Sequence, residues 1–102
     1  MFNSSLENPS ESGYPSGDII DQVWGTWTAP ENGFACAYCS SGTSDDHTYL
    51  FIYNSTTLMG NYGGAWNKGS AKFASIPVKK GDVVIASGSR LNGYKSFFVK
   101  GK

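Results

Sequence analysis

Residues Lys72–Ala86, KFASIPVKKGDVVIA, constrain the chain to a strand, a tight turn and a returning strand. Phe73, Ala74 and Ile76 lead into Pro77-Val78, Lys79-Lys80-Gly81-Asp82 makes the reversal, and Val83-Val84-Ile85-Ala86 runs back. Gly81 supplies the positive φ that a short hairpin turn needs, and Asp82 can bond the turn backbone. The paired lysines keep the tip solvated. The rest of the chain has the same grammar: short apolar runs rich in aromatic and β-branched residues, punctuated by Gly, Asn, Ser and Pro.

A length of 102 residues has room for one domain, a natural size for a β-sandwich or small barrel. Such a chain buries only a modest core, so further burial between subunits would help it. Eight basic and eight acidic residues balance, which removes the counterion-release force behind an electrostatic nucleic-acid binder. No run approaches the length of a membrane span, so no membrane insertion is expected. The opening MFNSSLENPSES has neither a basic region nor an apolar stretch, and no signal peptide is expected. The protein then stays in the cytoplasm or leaves by a route that needs no signal, such as lysis.

Residues 1–17 are polar, with Pro9, Gly13, Pro15 and Gly17, and read as an extended leader or linker; residues 18–102 read as the folded domain. Asp18–Thr28, DIIDQVWGTWT, has two readings. Ile19, Ile20, Val23 and Trp24 fall at helical spacing behind a capping Asp18, while VWGTWT is β-rich and alternates, with Trp24 and Thr26 on one face. The strand is the preferred reading. Ala29–Gly33 is a turn. Phe34–Ser40 is a strand with Phe34, Cys36 and Tyr38 on one face and small residues on the other. Thr48–Asn54 carries Leu50 and Ile52 on one face and Tyr49, Phe51 and Tyr53 on the other. Leu58–Asn61 is a short strand, and Tyr94–Lys100 is the last. About seven strands of ordinary length result, giving an all-β fold: an antiparallel β-sandwich, jelly-roll-like.

Both faces of Thr48–Asn54 are apolar, whereas a lone antiparallel sandwich keeps one face wet. Tyr49, Phe51 and Tyr53 are therefore candidates for an oligomer interface. Cys36 and Cys39 sit three apart on a strand, roughly 10 Å from each other and on opposite faces, too far for a disulfide. Two small buried or half-buried thiols are expected. A zinc site would need further ligands, with only His47, Asp45 and Asp46 nearby; no metal and no cofactor are expected.

If each strand reverses the last, tight turns gather at one end, at Ala29–Gly33, Ser55–Thr57 and Val78–Asp82. Longer polar loops gather at the other, at Ser41–His47, Tyr62–Gly69 and Ser87–Gly93. Loops on a rigid β scaffold carry binding residues. Tyr62 and Trp66 in the glycine-rich loop, with Tyr94 at the same end, form an aromatic platform that could stack a sugar ring. Asn61, Asn67, Arg90 and Asn92 flank it and could bond hydroxyls. The competing reading folds Trp66 back over the sandwich rim. No catalytic set is expected: His47 is a lone loop histidine, no serine sits in a nucleophile elbow, no carboxylates pair, and GGAWNKGS lacks phosphate-loop spacing. Asp45 and Asp46 read as loop-solvating residues, with calcium as the alternative.

From Thr28 onward the chain resembles the distal knob domains of bacteriophage and prophage tail-fibre or receptor-binding proteins. The residues that carry this are WTAPENGF at 27–34, IPVKKGD at 76–82 and SFFVKGK at 96–102. The same arrangement is similar to complement-type and tumour-necrosis-factor-like jelly rolls, compact trimers that pack aromatic faces about a threefold axis. The resemblance implies a homotrimeric receptor-binding head, part of a virion made in the host cytoplasm and acting outside it. Its partner would be a bacterial cell-surface carbohydrate, bound through several weak sites acting together. The chain departs from that pattern in its brief leader, which counting seven strands brings in at the loop-rich end. Two other classes compete: a structural trimerisation or capping module with no ligand, and a monomeric carbohydrate-binding module. A small hydrolase is disfavoured by the missing catalytic set.

Overall fold

The computed structural model describes residues 19–64 and 67–101. The expected leader and the Trp66 platform residue lie outside these. The described residues form ten strands: β1 (Ile19–Gln22), β2 (Thr26–Thr28), β3 (Gly33–Cys39), β4 (Ser41–Gly42), β5 (Tyr49–Asn54), β6 (Met59–Tyr62), β7 (Lys72–Val78), β8 (Val83–Ser89), β9 (Leu91–Asn92) and β10 (Lys95–Lys100). Among them no helix is long and apolar enough to cross a membrane. The first sheet has the order β1-β10-β3-β7, the second β2-β8-β5-β6, and β4 pairs with β9 in a small ribbon. All pairings are antiparallel, and the fold is a β-sandwich.

The pairing is nested. Leaving the β4–β9 ribbon aside, the first strand pairs with the last (β1 with β10), then β2 with β8, β3 with β7 and β5 with β6. This is one long hairpin wrapped over itself into two layers. Period-two alternation decides what each layer turns inward. The first sheet contributes the small residues Ala35, Ala37, Cys39 and Ala74, with Ile76, Val78 and Phe98; the second contributes Trp27, Leu50, Ile52, Val84 and Ala86. Small side chains on one layer leave room for large ones from the other, so a close-packed core fills.

The stretch expected as a single strand divides in two. Gly25, at φ +122°, adopts a conformation that costs an L side chain but not glycine, and the chain swings there from one sheet to the other. The alternation of Trp24 with Thr26 stops at this bend, and Trp27 instead of Trp24 enters the core. The division adds a strand and corrects the leader's position. Ile19 pairs with Val99, and Gln22 with Ser96. The chain therefore enters at the tight-turn end and first reaches the loop-rich end at residues 23–25.

Side-chain bonds tie the tight-turn end together. Asn54 Nδ2 donates to Asp82 Oδ2 at 2.8 Å, and the same oxygen accepts the Lys79 amide at 2.9 Å. Asn54 Oδ1 accepts the Thr56 and Thr57 amides, and Asn32 Oδ1 accepts the Lys80 amide. Two turns are thereby linked through the buried polar residues Asn54 and Asp82, whose bonds replace the water they lose, and Asn32 ties in the third. Gly81 has φ +92° in its turn, as the hairpin requires. Pro77 sits on β7, an edge strand, where no further neighbour asks for its missing N–H.

Candidate functional site

Opposite that stapled base, four connections meet. The β4–β9 ribbon joins the loop after β3 to the loop after β8, pairing Ser41 with Asn92 and Gly42 with Leu91. Next to it the Arg90 carbonyl accepts both the Thr43 amide at 2.8 Å and the Thr43 hydroxyl at 3.1 Å. These bonds hold Arg90 at φ +58°, a left-handed conformation uncommon for a residue with a side chain. The loop after β6 is tied in from the other side. Gly69 N–H donates to the Gly42 carbonyl at 3.0 Å, and Lys68 N–H donates to Asp45 Oδ1 at 2.9 Å. Lys72 is 2% exposed beneath it, its ammonium donating to the carbonyls of Asn67 at 3.0 Å and Ser70 at 3.1 Å.

On the β1–β2 side of this end lies a cavity of about 250 Å³, lined by Trp24, Gly88, Ser89, Arg90, Leu91 and Tyr94. The rings of Trp24 and Tyr94 lie 4.7 Å apart and 53° from parallel. Tyr94 is 51% exposed, while Trp24 and Leu91 pack against the core from outside it. The cavity thus rests on the core and opens past an aromatic pair. Such a surface suits the apolar face of a sugar ring, with Ser89 and Arg90 at hand for polar groups.

The residues expected at the working end are distributed as follows. Arg90, Asn92 and Tyr94 share the β8–β10 connection, and Asn92 Nδ2 reaches Ser41 Oγ at 3.4 Å. Asn67 lies across the β4–β9 ribbon, on the far side of the end from Tyr94. Asn61 bridges to the β7 edge through the Ser75 carbonyl at 3.4 Å. Tyr62 closes β6 at this end, but its ring lies on the outer face of the second sheet, 4.7 Å from the Phe51 ring and 6.2 Å from the Tyr49 ring. Trp24 is the residue that sequence reasoning missed. The signal was Gly25 directly after it, which breaks the alternation and turns the indole out of the strand.

Tyr49, Phe51 and Tyr53 do face away from the core, half-buried by one another and by Tyr62, with Phe51 stacked on Tyr53 at 5.8 Å. A second apolar face was legible but not singled out. On the outside of the first sheet, register places Phe97 beside Cys36 and Val99 beside Phe34, with Tyr38 between Lys95 and Phe73. Phe73 is 53% exposed, and the Lys95 ammonium lies 5.8 Å from the ring centres of both Tyr38 and Phe97, a cation–π arrangement.

The two cysteines are free and buried, Cys39 in the core and Cys36 on the opposite face of β3. Burial pushes the Cys36 thiol up to about 12, so it stays protonated and unreactive near neutrality. His47 Nδ1 lies 2.8 Å from Asp46 on the surface, and no group of three or more metal-binding side chains occurs among the described residues.

Fold and site together define a small antiparallel β-sandwich whose loops bring an aromatic pair and Arg90 together at the end opposite the tight turns. No protein-family model matches the chain, and no curated protein matches it.

Proposed function

We propose that this domain is a receptor-binding head of a virion or phage-tail appendage, recognising a bacterial surface glycan as a homotrimer, without catalysis. The observation that carries the reading is the Trp24–Tyr94 pair, placed at the end of the sandwich opposite the one where Ile19 enters. A domain carried on a shaft presents its far end to the host, and here that end holds the loops and the aromatic opening. The nested pairing of strands is what a jelly roll requires, which supports the resemblance noted above. Arg90, Asn92 and Tyr94 work with Trp24 at the sugar. Tyr49, Phe51 and Tyr53 meet the neighbouring subunit, which explains an apolar face on the outside of a sandwich. Several shallow sites on one trimer add up through effective concentration.

Light scattering on the purified chain, followed by adsorption to bacterial cells, tests this. A mass near three times 11.0 kDa with adsorption is the expected result. A monomer that still binds glycan replaces the trimer with a single carbohydrate-binding module. A trimer that adsorbs to nothing favours a structural cap, a reading for which the two apolar outer faces speak.

A further inference from the structure

We infer that the Trp24–Tyr94–Arg90 cavity takes a sugar carrying an anionic group, a carboxylate or a phosphate, whose charge meets the Arg90 guanidinium while the ring lies on the aromatic pair. The inference rests on the glycan reading and narrows it.

Three observations converge. Arg90 is held in a strained backbone conformation by two bonds to its own carbonyl from Thr43. A non-glycine residue kept at positive φ is strained, and such outliers recur at functional sites as well as in turns, where His47 and Leu58 share the conformation. The guanidinium itself is nearly unused: its one side-chain hydrogen bond among the described residues is a long one, Nη1 to Ser44 Oγ at 3.5 Å. Among the described residues no carboxylate lines the cavity. The acids of the neighbouring loop are engaged elsewhere, Asp45 with the Lys68 amide and Asp46 with His47. A guanidinium offers donors in a planar fork that matches a carboxylate or phosphate edge, and Arg90 lines the same cavity as the aromatic pair. The cavity is smaller than the roughly 300–1,000 Å³ pockets that enclose drug-sized ligands, in keeping with one sugar unit resting on the surface.

The full chain is titrated with D-glucuronate, glucuronate methyl ester, D-glucose and glucose 6-phosphate. Binding is followed by NMR at the Trp24 indole, the Tyr94 ring and the Arg90 Nε–H. Glucuronate or glucose 6-phosphate is expected to shift all three, and comparing the two tells which anion the fork prefers. The ester and glucose should bind at least about tenfold more weakly, the size expected for losing charge-assisted hydrogen bonds. Arg90→Gln should bring the acid down to the level of the ester while Trp24 and Tyr94 still respond. The wild-type acid–ester comparison does not depend on that variant folding. Equal binding of acid and ester overturns the anionic site and leaves the glycan reading standing, as does an Arg90→Gln protein that keeps the preference. Absence of any shift from either anionic sugar also overturns it. Adsorption to neither cells nor glycans overturns both readings.

Discussion

The indole N–H of Trp27 donates to Ser96 Oγ across the sandwich at 3.0 Å, and Ser96 Oγ donates in turn to the Cys36 carbonyl at 2.9 Å. Trp27 belongs to the second sheet and Ser96 to the first, so this buried relay bonds the layers directly where most contacts are non-directional packing. It also explains how a serine sits among core residues at 1% exposure: each of its roles is taken. Ser96→Ala leaves the indole donor buried without a partner and is expected to lower unfolding free energy by about 1–3 kcal/mol. Urea denaturation measures it. Trp27→Phe combined with Ser96→Ala should cost less than the two single changes added together, because the orphaned donor goes too. Additive costs would mean the bond contributes nothing.

Asp82 makes stability at the tight-turn end depend on pH. The Lys79 amide first, and the Asn54 side-chain amide second, hold its carboxyl below the usual range, against the upward push of burial. The folded pKa lies under the unfolded one, so the contribution is fully present above the unfolded value near about 3.9 and is lost as pH falls through the folded value. Acid titration of the urea midpoint should show wild type losing stability below that unfolded value. Asp82→Asn should show a flatter curve over the same window. Parallel curves for the two proteins would remove Asp82 from the acid transition.

Lys72 organises the loop after β6 by satisfying two of its carbonyls from beneath. Lys72→Met keeps most of the apolar stem and removes the donors. A loss of about 1–3 kcal/mol is expected for the carbonyls left behind, offset in part because a buried ammonium no longer needs desolvating. Hydrogen exchange is the sharper readout. Amides of Asn67, Lys68 and Gly69 should exchange faster in the variant, while β3 and β5 keep their protection. Uniform acceleration would mean Lys72 supports the whole sandwich and not this loop.

Cys36, with its thiol pushed up to about 12 by burial, should resist thiol reagents near neutral pH. Ellman's reagent is expected to label neither cysteine in the folded protein and both of the chain's two cysteines once it is denatured. Fast labelling of the native chain would mean that the outer-face side chains covering Cys36 give way readily to solvent.

Strand existence and facing were legible in the residues themselves. Leu50 and Ile52 point inward and Tyr49, Phe51 and Tyr53 outward because side chains alternate along any strand, whatever lies beyond it. Gly81 and Asp82 likewise placed their turn by local geometry, and the separation of Cys36 from Cys39 followed from strand rise alone. The nested partnering of β1 with β10 and β2 with β8 was decided only in three dimensions. Those pairs join residues from opposite ends of the domain, and no local pattern encodes them. The bend at Gly25 belongs with these: it fixes which tryptophan enters the core, which end the chain enters, and that Trp24 meets Tyr94. Alternation is a property of neighbouring residues, whereas the site depends on closing loops between distant ones, and only the packed core chooses among those closures.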